Sequence, residues 1–278
     1  MPQDKLPGDL KSVEMWSTRK VTFAILVNNR EVFEKNLLAS PCLRPPCDYQ
    51  ILVLENRDSA GKAYNEAMER SLNDLIVFCH QDIFLPDAWL SEVARALDWL
   101  EEQDPKWGVL GCYGETRNDN GRGYIYSSGC GIMGRPFEHP AQVQTLDEIV
   151  LILRKSSGLR FDDSLPHFHL YGTDICLRAE KFGMKSYAIC AFCIHNTHQN
   201  LILPREFYEC CKHVKRTWRQ RLPIQATCIR ITKFGFPLQR RRLREIYLRH
   251  IRRKECGGIR ASDPQELLMR VEVMLRGK

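Results

Sequence analysis

The triplet His80-Gln81-Asp82 directly follows an apolar run at residues 75–79. A short apolar run bounded by polar residues is typical of a buried strand, so the triplet is expected at the carboxyl end of that strand. A carboxylate at this position can hold a divalent cation against a diphosphate, and the imidazole of His80 can be a further ligand. Alternatively, Asp82 only caps a turn before Ile83. The triplet alone leaves both interpretations open.

The elements around the triplet alternate between strands and helices. Apolar runs predict strands at 21–27, 50–54, 75–79 and 107–112, and helical spacing predicts helices at 31–39, 59–71 and 86–102. This alternation predicts an α/β fold with a mostly parallel central sheet flanked by helices. Ligands of such sheets bind beyond the carboxyl ends of the strands. Asn28 and Glu55 are therefore candidate site residues together with the triplet.

The second half of the chain is predicted to contain shorter elements. We expect a polar, flexible loop at 114–123, short strands at 124–128, 142–145 and 149–153, a helix at 171–182, and a strand at 185–194. Helices are expected at 205–221, 238–254 and 263–275. The predicted organisation is an α/β domain over 1–204 and a basic, mainly helical C-terminal extension over 205–278.

Two other motifs suggest chemistry that their surroundings do not favour. Gly129-Cys-Gly131-Ile-Met-Gly134 matches a dinucleotide-binding fingerprint, which needs a helix to start there, but Pro136 follows immediately. Cys190-x-x-Cys193 has the spacing of a zinc-binding pair, but the chain has no second Cys-x-x-Cys. Buried, reduced thiols on a strand explain the cysteines better than zinc does.

Three stretches, taken together, resemble the glycosyltransferase family 2-like enzymes, which have the GT-A fold. They are AILVNNR at 24–30, SAGKAYNEAMERSLNDLIVFCHQDIFLPDAWL at 59–90, and LYGTDICLRAEKFGMKSYAICAFCIHNT at 170–197. The HQD form of the triplet looks most like a bacterial subgroup of that family. The resemblance covers roughly residues 20 to 200. It implies a GT-A-like catalytic domain and transfer of a sugar from a nucleotide diphosphate-sugar to an acceptor hydroxyl.

The resemblance also implies roles for individual residues. Asn28 and Glu55 would meet the base and ribose, and Asn65 would lie near the nucleotide. Asp82 would bind Mn²⁺ or Mg²⁺ and, through it, the diphosphate; His80 and His195 are the further candidate ligands. Asp174 would be the general base of an inverting hexosyl transfer.

The chain departs from the family pattern at two of these positions. His80 stands where the family has the first aspartate of its metal motif, and Thr173 stands where it has the first acid of an acidic pair. Asp174 can also simply cap its helix, and Arg178 is expected to pair with a carboxylate to hold that helix. The alternative functions are therefore a catalytically degenerate binding or adaptor protein of the same fold, or a nucleotidyltransferase.

Charge is distributed unevenly along the 278 residues, whose net charge is +7. Residues 205–256 contain sixteen basic and four acidic side chains, so the rest of the chain is mildly acidic. Such a segment is either a solvated basic surface or a site of attraction to anionic lipids; no nucleic acid is expected, because no recognisable reading module is present.

No apolar run reaches the roughly 20 residues of a membrane helix, and residues 1–20 lack the apolar core of an export signal. The chain is expected to be cytoplasmic, with peripheral attachment to the inner face of a membrane left open. Its partners would be a nucleotide diphosphate-sugar and a glycan, lipid-linked or protein acceptor.

Overall fold

A computed structural model describes residues 20–45, 49–118, 121–198, 202–250 and 259–276. The predictions for residues 1–19, and for the part of the basic segment at 251–256, lie outside the described residues. Within the described ranges the chain alternates strands and helices through its first hundred residues, as its apolar runs predict.

The strands are mostly short. Their bounds are β1 Val21–Val27, β2 Tyr49–Glu55, β3 Leu75–His80, β4 Ile83–Phe84, β5 Val109–Gly111, β6 Tyr113–Glu115, β7 Gly121–Ser127, β8 Gly131–Gly134, β9 Ala141–Val143, β10 Thr145–Leu146, β11 Val150–Arg154, β12 Ser186–Ala188, β13 Cys193–His195, β14 Ile224–Ala226 and β15 Ile229–Ile231.

The α-helices are distributed over the whole described chain. Their bounds are α1 Arg30–Lys35, α2 Ala60–Arg70, α3 Trp89–Gln103, α4 Tyr171–Lys181, α5 Arg205–Thr217, α6 Phe236–His250 and α7 Pro264–Arg276.

The main sheet has seven strands in the order β2-β1-β3-β11-β5-β12-β9. β1 lies between β2 and β3 and is parallel to both, and β12 is parallel to β5. β11 is antiparallel to both of its neighbours, and β9 is antiparallel to β12. The expectation of a mostly parallel sheet therefore holds for the edge formed by β2, β1 and β3, while the sheet as a whole is mixed.

A second sheet has the order β10-β6-β7-β13-β4, with β8 paired to β7. Its antiparallel β6–β7 hairpin occupies part of the region predicted as a flexible loop at 114–123, which corrects that expectation. The strand predicted at 185–194 is two short strands, β12 and β13, which belong to different sheets.

The core covers both faces of the main sheet, as alternation along the strands requires. Val77 and Cys79 of β3 pack with α1 and α3, whereas Ile76 and Phe78 pack with α2 and α4. The apolar face of α5 lies in the same cluster as Phe78. The division of the chain at residue 204 stays a prediction, although α5 packs directly on the preceding part of the chain.

Among the described residues, neither disfavoured motif has the surroundings that its chemistry requires. The glycines at 129–134 lie in and around the β7–β8 hairpin, where no helix begins. Cys193 is buried, as are most of the described free cysteines, which agrees with the prediction; Cys190 and Cys228 are half-buried, and Cys130 is exposed. Among the described residues, none of the helices has the length and apolarity needed to span a bilayer.

Candidate functional site

The carboxyl ends of β1, β2 and β3 meet at one edge of the main sheet. The parallel register pairs Val27 with Glu55 and Leu26 with His80, so the residues that follow these strands are neighbours. A cavity of about 730 Å³ opens at this edge. Its lining is Leu26, Val27, Asn28, Arg30, Leu54, Glu55, Asn56, Arg57, Tyr64, His80, Gln81, Asp82, Phe168, His169, Tyr171, His195 and Thr197. We call it the strand-end cavity.

Gln81 joins the ends of two strands across the mouth of the strand-end cavity. Its Oε1 accepts hydrogen bonds from the backbone N–H groups of Asn28 and Asn29, both at 3.0 Å. Its Nε2 donates to Asn28 Oδ1. Asn29 in turn caps α1, since its side chain accepts from Val32 N. The position of Asn28, which follows β1, is therefore held by the residue that follows β3.

Asp82 lies between two imidazoles. Its Oδ1 is 3.3 Å from His195 Nε2, and the ring centroids of His80 and His195 are 5.5 Å apart. The pairing of β4 with β13 sets this geometry, because it places His195 opposite Ile83, the residue after Asp82. The predicted group of His80, Asp82 and His195 is thus brought together by tertiary structure.

A guanidinium from the C-terminal part of the chain completes the surroundings of Asp82. Arg260 donates from Nη2 to Asp82 Oδ2 at 3.0 Å and from Nε to the carbonyl of Asn196 at 2.9 Å. Asn196 Oδ1 accepts from Ala261 N at 2.7 Å, which fixes the segment that carries Arg260. This contact joins residues 178 positions apart, and no pattern in the sequence indicated it.

Electrostatics keep this group in defined charge states. Burial alone would raise the pKa of Asp82, but His195, His80 and Arg260 outweigh it and hold that pKa well below its ordinary value. Burial, with His195 nearby, lowers the pKa of His80 to about 4. Burial would also lower the pKa of His195, but the carboxylate of Asp82 raises it. At neutral pH, Asp82 is therefore an anion and His80 is neutral.

The donor set fits a divalent cation. Among the described residues, His80, Asp82 and His195 are the group of three in which one ligand atom from each lies within 4.8 Å of the others. His80 Nε2 lies 3.1 Å from Tyr171 Oη. The other ring nitrogen, Nδ1, is therefore the one that remains to bind a metal ion. Two imidazoles and one carboxylate suit a first-row transition ion better than Mg²⁺, which prefers oxygen ligands. Arg260 already bonds one oxygen of this carboxylate.

Asn28 and Glu55 line the strand-end cavity, and Asn65 does not; their roles toward a nucleotide stay predictions. Glu55 is partly exposed and pairs with Arg30 at 3.3 Å. The Asn65 side chain instead bonds the backbone of Phe161 in both directions, at 3.0 Å each, and donates to Asp163. Asn65 therefore anchors the segment before α4 onto α2, and its predicted place near the nucleotide stays a prediction.

Asp174 is also outside the strand-end cavity. Its side chain is 1% exposed, and its carboxylate accepts from Arg178 Nε at 2.6 Å and from the Trp218 indole N–H at 2.6 Å. Burial raises its pKa, against the opposing effect of Arg178. Both oxygens are engaged within the fold, which favours a structural role, and the role of Asp174 as general base stays a prediction. The expectation that Arg178 pairs with a carboxylate is confirmed, since it bonds Asp162 as well.

His169 lies in the strand-end cavity but was not singled out from the sequence. It belongs to the segment before α4, with exposed Phe168 beside it, and both side chains line the cavity. The His169 ring packs against Phe207 of α5, and among the described residues it has no hydrogen-bonded side-chain partner. Burial lowers its pKa, so the imidazole is neutral at physiological pH. The spacing His167-x-His169 just before a helix was the available signal.

The fold places a cavity lined by polar side chains at the carboxyl edge of an α/β sheet. Residues 22–212 match the family described as "Glycosyltransferase like family". The chain belongs to this family, and with the sheet architecture this confirms the predicted GT-A-like α/β fold class. Membership of a bacterial HQD subgroup stays a prediction.

Other proteins show more distant similarity. A protein of Fuscovulum blasticum described as "ATP synthase subunits region ORF 6" is 28% identical over 187 residues, which are 64% of this chain and 74% of that protein. Mannosyltransferase PcManGT from Pyrobaculum calidifontis, solved with GDP-Man and Mn²⁺, is 11% identical, with 88% of this chain and 78% of that one covered and a TM-score of 0.46. S. aureus TarS 1–349 is 14% identical, with 72% and 65% covered and a TM-score of 0.42.

Proposed function

We propose that the chain transfers a sugar from a nucleotide diphosphate-sugar to an acceptor hydroxyl, with the donor bound in the strand-end cavity. The main support for this proposal is that one cavity is lined by Asn28, Glu55 and Asp82, which lie at three neighbouring strand ends. The chain also belongs to the glycosyltransferase-like family. A cavity of this size suits a ligand as large as a nucleotide.

Asn28 and Glu55 would meet the base and ribose of the donor. Asn28 is held by Gln81, so it presents its amide without first losing side-chain freedom. The carboxylate of Glu55 accepts hydrogen bonds, as ribose hydroxyls require, and its partner Arg30 lies on the same wall and can contact a phosphate.

His80, Asp82 and His195 are the residues that would hold Mn²⁺ or Mg²⁺. A divalent ion there supplies positive charge that stabilises a leaving nucleoside diphosphate. Asp82 is ionised and His80 neutral at neutral pH, so these side chains need not lose a proton before they bind the ion. Arg260 adds a fixed positive charge beside the same carboxylate.

His169 is the group that we propose as general base for the acceptor hydroxyl. Its neutral imidazole lines the same cavity as Asp82, and a general base must lie within hydrogen-bond reach of the proton that it removes. Phe168, exposed in the same wall, offers a ring against which a sugar can stack. A single base acting on the acceptor corresponds to an inverting displacement.

Turnover of nucleotide diphosphate-sugars with and without Mn²⁺ tests the donor site. UDP- and GDP-sugars are incubated with the wild-type protein and with Asp82→Asn, and release of nucleoside diphosphate is measured. We expect Mn²⁺-dependent release that falls at least 100-fold in Asp82→Asn. The matched control is Asp87→Asn, an exposed acid five residues further on, which should keep wild-type activity.

Two other outcomes would replace this proposal. Nucleoside diphosphate binding without turnover of any donor, in all variants, would identify a binding or adaptor protein. Release of pyrophosphate from a nucleoside triphosphate and a sugar phosphate would identify a nucleotidyltransferase.

A further inference from the structure

The outer face of α6 carries an apolar stripe that the described fold leaves exposed. Phe236, Leu243 and Tyr247 are spaced by seven and four residues, so they share one side of the helix. Their relative exposures are 69%, 68% and 45%. Ile246 beside the stripe and Phe234 just before the helix are exposed as well. We call this set the outer stripe.

Contacts on the opposite side of α6 fix the direction in which the outer stripe points. Arg241 donates to the carbonyl of Cys228 at 2.7 Å and pairs with Glu245 at 3.0 Å. Glu245 is buried and accepts a hydrogen bond from Tyr208 of α5. Leu238 packs against the main core cluster. Rotating the helix to bury the outer stripe would break this set of contacts.

Positive charge surrounds the outer stripe. Lys233, Arg240, Arg242 and Arg244 are exposed in the same segment. Glu245 is the one acid between residues 233 and 248, and it lies on the packed side of the helix. The outer stripe is thus apolar with cations on its flanks and no exposed acid among them.

We propose that the outer stripe is a docking surface for an anionic lipid bilayer, with α6 lying in the plane of the membrane interface. Apolar side chains on one face of such a helix enter the boundary between headgroups and acyl chains, and flanking arginines bind lipid phosphates. A second copy of the chain fits this surface less well, because two such faces would bring their arginines together without acids to compensate. The surface attracts anionic lipid for reasons independent of the sugar-transfer proposal.

Flotation with lipid vesicles tests the surface. The full chain is mixed with vesicles of phosphatidylcholine alone or with 30% phosphatidylglycerol, and the bound fraction is measured at low and high salt. We expect binding to the anionic vesicles, weaker binding at 0.5 M NaCl because salt screens the attraction, and little binding to phosphatidylcholine alone.

Two variants separate the apolar and the charged parts of the surface. Leu243→Ser with Tyr247→Ser removes part of the stripe, and Arg240→Glu with Arg244→Glu reverses its flank. Each pair should lower the vesicle partition coefficient at least tenfold. The matched controls are Leu72→Ser, an apolar side chain 85% exposed on another surface, and Lys106→Glu, both of which should bind as wild type does. Circular dichroism and the melting temperature verify that each variant is folded.

Three results would overturn the inference. The first is equal binding by the α6 variants and the controls. The second is a stable dimer in sedimentation velocity that the Leu243→Ser, Tyr247→Ser protein loses, together with no vesicle binding. The third is tight binding of RNA or DNA that Arg240→Glu, Arg244→Glu abolishes, with no vesicle binding.

Discussion

Arg260 Nη2 lies 3.0 Å from Asp82 Oδ2, while His195 approaches the other oxygen of the same carboxylate. Asp82 is 7% exposed, so this guanidinium neutralises a charge that is almost removed from water. A bound divalent ion would have to share the carboxylate with Arg260 or displace it. The contact therefore links the C-terminal segment to the strand-end cavity, the proposed donor site.

Removing the guanidinium should strengthen binding of the metal. In Arg260→Ala, Asp82 Oδ2 loses its protein partner, and we expect the Kd for Mn²⁺ to fall about tenfold, which corresponds to about 1.4 kcal/mol. Isothermal titration calorimetry with MnCl₂ measures it. The control is Arg270→Ala, which removes an exposed arginine paired with Glu266 on α7. If the Kd for Mn²⁺ of Arg260→Ala is equal to or higher than that of the wild-type protein, Arg260 does not compete with the ion.

Replacing His169 tests whether it is the general base that we propose. His169→Gln keeps a polar side chain of similar size, and we expect kcat to fall by about 10²- to 10⁴-fold while donor binding is kept. Because the neutral ring accepts the proton, wild-type kcat/KM should decrease as pH falls through the lowered pKa of His169, and the variant should lose that decrease. The control is His167→Gln. His167 does not line the cavity, and its Nε2 lies 2.8 Å from Glu209 Oε2. Similar losses in both variants would contradict the assignment.

Asp174→Asn distinguishes a structural carboxylate from a catalytic one. The change weakens the bond to Arg178 inside the core, so we expect the free energy of unfolding to decrease by about 3 kcal/mol. The kcat of the folded fraction should change less than threefold. Urea unfolding and rates corrected for the folded fraction measure the two effects. A loss of kcat above 100-fold at wild-type stability would restore Asp174 as the base.

Glu92 should make stability decrease with rising pH. Burial raises the pKa of Glu92 to about 7, although its Oε2 accepts a hydrogen bond from Phe192 N and Arg95 favours the charged form. The folded state therefore binds this proton more tightly than the unfolded chain, and the free energy of unfolding falls between about pH 4.5 and pH 7. Glu92→Gln should match wild type at pH 4.5 and exceed it by about 1–2 kcal/mol at pH 8.

Urea unfolding at the two pH values measures this difference. Glu102→Gln, an exposed acid on the same helix, is the control and should show no such pH-dependent gain. A gain for Glu92→Gln that is equal at both pH values would contradict the proton linkage.

The sequence predicted the β1–β3 edge well because local patterns determine it. Each of the three strands is a continuous apolar run followed by polar residues, and parallel pairing then places Asn28, Glu55 and Asp82 at one edge. The mixed order of the remaining strands was not predictable in this way, since short runs such as those of β11 and β12 carry no information about direction.

Side-chain partners far apart in the sequence account for the contacts around the site that the sequence did not predict. Asp174 precedes Arg178 by one helical turn, a spacing that already favoured a structural pair, but its second partner, Trp218, lies 44 residues away. Asn65 was predicted to lie near the nucleotide. Its amide instead bonds the backbone N–H and carbonyl of Phe161, 96 residues further along the chain. Arg260 was missed because it belongs to a segment that the family resemblance does not cover.

The ion pair between Arg260 and Asp82 also has a consequence for the order of events during translation. The ribosome adds Arg260 178 residues after Asp82, so a nascent chain can form the β1–β3 platform while that aspartate still faces only imidazoles and water. The carboxylate of Asp82 therefore gains its guanidinium partner only after the C-terminal segment that carries Arg260 has been synthesised.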